Sequence, residues 1–155
     1  MIKINIVAVG KVKEKYFTEG IEEYAKRLKK YCDFSITEVA EENYAKPSAA
    51  ETEKIKETEA ERILPKLKGK VFSLAIEGEK VDSKTFSELI KKAGDKEGVI
   101  TFVIGGSYGL SDRVKKASTP LSFGDVTVPH TLFRLLLTEQ IYRAFTIISG
   151  TPYHK

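Results

Sequence analysis

The sequence predicts an α/β fold: a mostly parallel sheet with flanking helices. Two runs, Val71-Phe72-Ser73-Leu74-Ala75-Ile76 and Val99-Ile100-Thr101-Phe102-Val103-Ile104, are almost continuously apolar. Strands covered on both faces read this way. Strand patterns also alternate with amphipathic helical patterns along the chain, the order that builds βαβ units. Finally, glycine-bearing turns follow the two buried runs, at Glu77-Gly78-Glu79 and Gly105-Gly106-Ser107-Tyr108-Gly109.

Taken in order, Ile2, Ile4 and Ile6 alternate with Lys3 and Asn5 before Val7-Ala8-Val9 turns apolar on both faces, a strand entering a buried sheet and ended by Gly10. From Lys13 to Tyr31, Tyr16, Phe17, Gly20, Ile21, Tyr24, Ala25 and Leu28 recur at helical spacing between charges, which predicts an amphipathic helix. Phe34, Ile36 and Val39 then mark a half-exposed strand. Residues 41–46 carry no assignable role. Ser48 with Glu51 three residues on is a capping-box start for a charged surface helix running to about Lys66.

After the strand Val71–Ile76, Asp82 or Ser83 caps a helix bearing Phe86, Leu89, Ile90 and Ala93. The strand Val99–Ile104 follows, and Ser111-Asp112 opens a short helix that Thr119-Pro120 stops. The last helix, Leu132 to Ser149, is apolar around most of its circumference, with Glu139, Arg143 and Thr146 on one narrow polar face and Arg134 and Thr138 on another. Such a helix needs cover on every side. The sheet supplies one side, and either the rest of the chain or a second copy, as in a two-fold homodimer, supplies the other.

Composition narrows the function classes. The chain of 155 residues suffices for one domain with its own core. No run approaches the roughly 18 apolar residues of a membrane span, and the first residues lack a signal-peptide layout, so a cytoplasmic protein with no membrane partner is expected. The single cysteine, Cys32, excludes an internal disulfide and a Cys-rich zinc site. Two histidines and scattered carboxylates predict no metal site. The net charge of +4, spread over both halves, permits a nucleic-acid partner without requiring one.

In a parallel sheet ligands gather beyond the carboxyl ends of the strands. Three such ends carry small or flexible residues: Ile76-Glu77-Gly78, Ile104-Gly105-Gly106, and Phe123 to Val128. They predict a ligand pocket, although any strand-to-helix turn can hold a glycine. No dinucleotide fingerprint, Walker loop, nucleophile elbow or zinc-protease motif is present. The chain closes on Tyr153-His154-Lys155, a frayed end by default but rich in groups that stack, donate and exchange protons. Glu139 and Arg143 have the spacing of an ordinary helix-surface ion pair.

Phe102-Val103-Ile104-Gly105-Gly106-Ser107-Tyr108-Gly109-Leu110, Val128-Pro129-His130, Glu139-Gln140-Ile141-Tyr142-Arg143-Ala144 and Tyr153-His154-Lys155 together resemble the RlmH family. These SPOUT methyltransferases modify large-subunit ribosomal RNA. Val7-Ala8-Val9-Gly10-Lys11 is similar to the family's opening strand, so the likeness runs the full length. The resemblance implies a C-terminal trefoil knot, which no periodicity would suggest, and a homodimer that binds S-adenosylmethionine in the knot. It implies a cofactor pocket of Leu74, Gly105, Gly106, Phe123, Gly124, Asp125, Val126, Thr127 and Val128. The implied reaction is methylation at N3 of a pseudouridine in 23S ribosomal RNA, with Tyr153, His154 and Arg143 as catalytic candidates. His130, Arg134 and Lys155 are the substrate-binding candidates. A small, mildly basic enzyme is expected to act on the assembled ribosome, whose shape supplies recognition. The competing expectations are a non-catalytic RNA- or ribosome-binding module of the same fold and a nucleotide-using enzyme of another α/β class.

Overall fold

A computed structural model, which describes residues 1–155, gathers the strands into one sheet. In chain order the elements are β1 (Lys3–Val9), α1 (Lys15–Leu28), β2 (Asp33–Val39), α2 (Ala49–Ile63), β3 (Lys70–Lys80), α3 (Ser83–Glu97), β4 (Val99–Ile104), α4 (Asp112–Lys116), β5 (Thr119–Ser122) and α5 (His130–Ser149). A short 3-10 turn, Leu64–Lys66, extends α2. The strands lie in the order β2-β1-β4-β3-β5, and every pairing is parallel. The α/β class expected from the alternation is the class observed.

Strand periodicity explains the layers. Ile4, Ile6 and Ala8 of β1 and Ile100, Phe102 and Ile104 of β4 face the same side, joining Leu28, Phe86, Ile90, Leu137 and Ile141 of α1, α3 and α5. Val7, Val9 and Val103 face the other side, against Ala60 and Ile63 of α2 and Val114 of α4. The central strands are therefore apolar throughout because they are covered twice. Thr101 is fully enclosed without penalty: its hydroxyl donates to the Lys68 carbonyl at 2.7 Å and accepts from the Lys68 N–H at 3.2 Å.

Two elements differ from the sequence reading. β3 does not stop before Glu77 but continues to Lys80. Leu121 pairs first with Leu74 and again with Glu79, so Ala75–Gly78 is a looped excursion between two contacts with the same neighbour. The excursion needs a glycine, because a Cβ on Gly78 would lie 2.7 Å from backbone atoms of Pro120 and Leu121. The second difference is β5, where Thr119-Pro120 reads only as a helix stop. Proline cannot donate to a ladder, and β5 accommodates it because the strand is an edge, paired with β3 alone.

Helix ends follow the expected chemistry. Ser48 and Glu51 form the reciprocal capping box at the start of α2, and Asp82 accepts from the Thr85 N–H at 2.7 Å to cap α3. α5 is covered on its core side by Leu137, Ile141, Ala144 and Phe145, while Leu136 and Ile148 remain exposed. Residues 41–42, which carry no role by sequence, are fastened to α2. Arg62 donates to the Ala40 carbonyl at 2.9 Å and to the Glu42 carboxylate at 2.8 Å, and the Glu42 N–H donates to Glu59 at 3.0 Å.

Glu59 is 2% exposed. Burial pushes its carboxyl above the ordinary glutamate range; the Glu42 N–H opposes the shift, and the nearby Glu41 adds to it. An acid raised in the folded state holds its proton more tightly there. Its contribution is thus complete below the unfolded value and is lost as pH rises through the folded one. Glu59→Gln keeps the acceptor oxygen without the charge. It is expected to raise the urea midpoint at neutral pH and to leave it unchanged below about pH 4.3, the ordinary glutamate value. A neutral-pH midpoint no higher than that of the unsubstituted protein would contradict this.

Candidate active-site cleft

The three expected strand ends do meet. The β3 excursion, the turn after β4 and the segment between β5 and α5 enclose a cleft of about 960 Å³. Leu74, Gly105, Gly106, Phe123, Gly124, Val126, Thr127, Val128 and His130 all line it. Asp125, grouped with them by sequence, is not on the wall. Its carboxylate accepts from Lys80 Nζ at 2.8 Å, an exposed pair of little energetic weight.

The turn after β4 doubles back tightly, with Gly106 bridging to Gly109. A Cβ on Gly105 would lie 2.8 Å from the Gly109 carbonyl carbon and 2.9 Å from its oxygen. Only glycine lets the chain fold over itself here, with the Gly109 N–H donating to the Gly106 carbonyl at 3.1 Å. Behind the turn, a Cβ on Gly106 would meet Val9 at 3.0 Å and the Glu59 carboxylate at 3.2 Å, so the turn is seated against β1 and α2. Ser107 Oγ donates to Glu41 at 3.0 Å and ties the same turn to the segment after β2.

A ladder of rings holds the opposite wall. Phe72 stacks on Phe102 with centroids 5.6 Å apart, Phe102 meets Phe86, Phe86 meets Phe123 edge-on at 5.2 Å, and Phe123 stacks on Phe133 at 5.4 Å. Phe123 is thereby fixed from the core outward. Ile76, Tyr108, Val126 and Leu136, all large and exposed, stand around the cleft. Ile76 belongs to a strand end that the sequence flags, but sequence reasoning missed Tyr108 and Leu136 as wall residues. Tyr108 sits inside the flagged glycine turn, whereas nothing in the helical pattern of α5 sets Leu136 apart. A concave apolar site edged by a glycine turn suits a flat heteroaromatic ligand.

His130 and Arg134, paired by sequence, are separated in role. His130 borders the cleft, with Nδ1 buried and unpartnered. One turn on, Arg134 is 3% exposed; it pairs with Glu38 at 2.5 Å and donates to the Gly10 carbonyl at 3.0 Å. In this chain it braces the ends of β1 and β2 behind the cleft.

The tail is ordered by packing rather than frayed. The Tyr153 ring meets Tyr142 edge-on at 4.8 Å, and the Arg143 guanidinium lies 4.7 Å from the centroid of the Tyr153 ring. Glu139 is the hub. It accepts from Arg143 Nε at 2.9 Å and from the Tyr153 hydroxyl at 3.2 Å, while Arg143 Nη1 lies 3.1 Å from His154 Nδ1. The bond to Glu139 holds Arg143 above its already high value. Burial first, then Tyr24 and Glu139, push the Tyr153 phenol above the usual tyrosine range, so it keeps its proton. Tyr153, His154 and Arg143 are thus brought together, with Glu139 as the organising residue that spacing marks only as an ion-pair partner. Lys155 is exposed beside them.

The cleft takes up α5 from His130 to Leu136, and the tail cluster takes it up from Glu139 to Arg143. His130 opens the helix at the cleft and Arg143 lies far along it, which at the helical rise is about 20 Å. The Tyr153 hydroxyl folds back as far as Glu139. Within one chain no hydrogen bond or ring contact joins Tyr153, His154 or Arg143 to a residue lining the cleft. No group of three or more His, Cys, Asp or Glu side chains is placed to hold a metal ion, and no helix is long and apolar enough to cross a membrane.

Comparison with known proteins matches this geometry. The chain is 52% identical over 161 residues to the protein of Limosilactobacillus reuteri (strain DSM 20016) named Ribosomal RNA large subunit methyltransferase H, covering 99% of this chain and 100% of that protein. The protein of the same name from Streptococcus uberis is also 52% identical, with the same coverage. A solved structure described as a probable methylase family protein from Haemophilus influenzae shares the fold, with a TM-score of 0.52 at 14% identity over 99% of this chain and 70% of that one. The model of the family described as predicted SPOUT methyltransferase matches residues 2–154. With a parallel sheet whose glycine turn and closing helix border one cleft, the chain belongs to the SPOUT methyltransferases.

Proposed function

We propose that the protein transfers a methyl group from S-adenosylmethionine to N3 of a pseudouridine in large-subunit ribosomal RNA, acting in the cytoplasm on the assembled ribosome. The observation that carries the cofactor reading is the cradle at Gly105, where a side chain would strike Gly109 and the glycine turn edges an apolar cleft. The substrate reading rests on the full-length relatives named as ribosomal RNA methyltransferases.

S-adenosylmethionine, when bound, supplies a methyl group already activated on a sulfonium. Backbone groups at Gly105, Gly106 and the segment from Phe123 to Val128 would hold its adenine edge. Leu74, Ile76 and Phe123 would exclude water from the reacting centre. N3 of the base lies between two carbonyl groups, so when its proton leaves to solvent water the charge spreads onto two oxygens. Donors aimed at those oxygens lower the barrier. The Arg143–Tyr153–His154 cluster, held by Glu139, presents such donors at a surface.

We further infer that the working unit is a homodimer in which the tail of one copy completes the cleft of the other, and in which the closing segment is threaded as a trefoil knot. The separation of cleft and tail along α5 and the exposed Leu136 and Ile148 support the dimer. The β3 excursion wrapped against β5 supports the threading.

The test is incubation with methyl-labelled S-adenosylmethionine and ribosomes lacking the modification, followed by mapping of the label. A single labelled pseudouridine in large-subunit RNA is expected, with S-adenosylmethionine, and not NAD or ATP, protecting the protein from unfolding. Ribosome binding without label would reduce the protein to a binding module. Equal labelling of the isolated hairpin would remove the requirement for the ribosome.

A further inference from the structure

The loop between β1 and α1 carries Lys11 and Lys13, and Lys15 opens α1, three lysines at alternate positions and all exposed. Its base is held from several sides. Gly10 N–H donates to the Val39 carbonyl at 2.8 Å, and the Gly10 carbonyl accepts from buried Arg134 at 3.0 Å. A Cβ on Gly10 would lie 3.7 Å from the His130 ring, so the loop leaves the sheet directly beside a residue of the cleft. β1 is also the neighbour of β4, whose carboxyl end forms the glycine turn.

The charges on this loop are unspent. Lys11 and Lys13 make no ion pair, and Lys15 has only a 3.7 Å contact with Glu19 between well-exposed side chains. Of the nearby acids, Glu14 turns inward with one carboxylate oxygen buried, and Glu41 is engaged by Ser107. Three ammonium groups spaced along an exposed loop and the first residue of the helix after it, fixed at the loop's root beside the cleft, match successive phosphates of a nucleic-acid strand. Lysine serves such contacts as a mobile point charge without reading sequence.

We propose that Lys11, Lys13 and Lys15 are the RNA-backbone contact that positions the strand flanking the target nucleotide against the cleft. This rests on the RNA-methylating reading and assigns that reading a docking surface. Lys11→Ala/Lys13→Ala is expected to raise the KM for ribosomes about tenfold and to reduce the slope of log affinity against log salt by about one to two, one phosphate contact per lysine. The Kd for S-adenosylmethionine, measured by calorimetry, is expected to stay unchanged. Lys92→Ala/Lys96→Ala removes the same charge from α3, whose end precedes the amino end of β4, and is expected to leave KM and salt slope as they were.

Co-sedimentation with ribosomes, read beside methylation, separates the two levels. A protein that without substitution neither sediments with ribosomes nor methylates them overturns the RNA reading and this surface with it. A protein that does both, but is indifferent to the loop substitution, overturns the surface alone. Equal loss in the Lys92/Lys96 variant would reduce the effect to net charge, and a shifted cofactor Kd would place the loop's action on the cleft; either also overturns the surface.

Discussion

His154→Ala is expected to lower the rate of methyl transfer by about 10²- to 10³-fold, the usual loss for one donor to developing negative charge, with cofactor binding intact. The direction of the hydrogen bond at Nδ1 decides the role. Arg143 Nη1 lies 3.1 Å from His154 Nδ1, and a guanidinium has donors but no acceptor. Nδ1 must therefore accept, the neutral ring carries its hydrogen on Nε2, and the outward edge of the imidazole is a donor. A donor there suits a carbonyl oxygen of the target base; it does not suit proton abstraction. His154→Gln, which offers an amide N–H, is accordingly expected to retain more activity than His154→Ala in single-turnover assays with saturating cofactor. Equal loss in the two variants would contradict the donor role, and full activity in His154→Ala would remove the residue from the mechanism.

The tail shows where sequence reading succeeds and where it stops. Tyr153 and His154 are legible as chemical groups because an aromatic and an imidazole beside Lys155 are conspicuous there, whereas Arg143 joins them only through the family resemblance. Glu139 is not legible as their hub. Its spacing to Arg143 is that of an ordinary surface pair, and only the fold-back of Tyr153 onto Tyr142 turns it into a shared acceptor. The sheet was legible for a different reason. β1 and β4 are covered on both faces, so burial writes itself into consecutive apolar residues. β5 escaped because four residues with a proline carry no period, and what makes them a strand is the neighbouring β3. The same limit separates His130 from Arg134. One helical turn apart, they invite a common role, but the carbonyl that claims Arg134 belongs to Gly10, far away in the chain. Asp125 likewise leaves the cleft for Lys80, a partner that no local pattern indicates.

Mixing two variants that are inactive alone is expected to restore activity, and the geometry of α5 is the reason. Gly105→Val closes the cradle, since even a Cβ there would stand 2.8 Å from the Gly109 backbone, so that variant is expected to bind no cofactor. His154→Ala keeps the cleft and lacks the tail donor. α5 is a continuous helix from His130 to Ser149, and the residues after it turn straight back, with the Thr151 N–H on the Thr146 carbonyl at 2.9 Å. The rod holds Arg143, on which His154 rests, about 20 Å from His130 at the cleft, so within one chain the tail donor is expected not to reach the cradle. In a mixed dimer the intact cleft of one copy meets the intact tail of the other. Random re-association makes about half of the dimers mixed, each with one working site of two, and about a quarter of the original activity is expected. Co-refolding the two variants and assaying label transfer to ribosomes measures this. A mixture as inactive as its components would mean that each tail serves its own cleft, against the separation along α5.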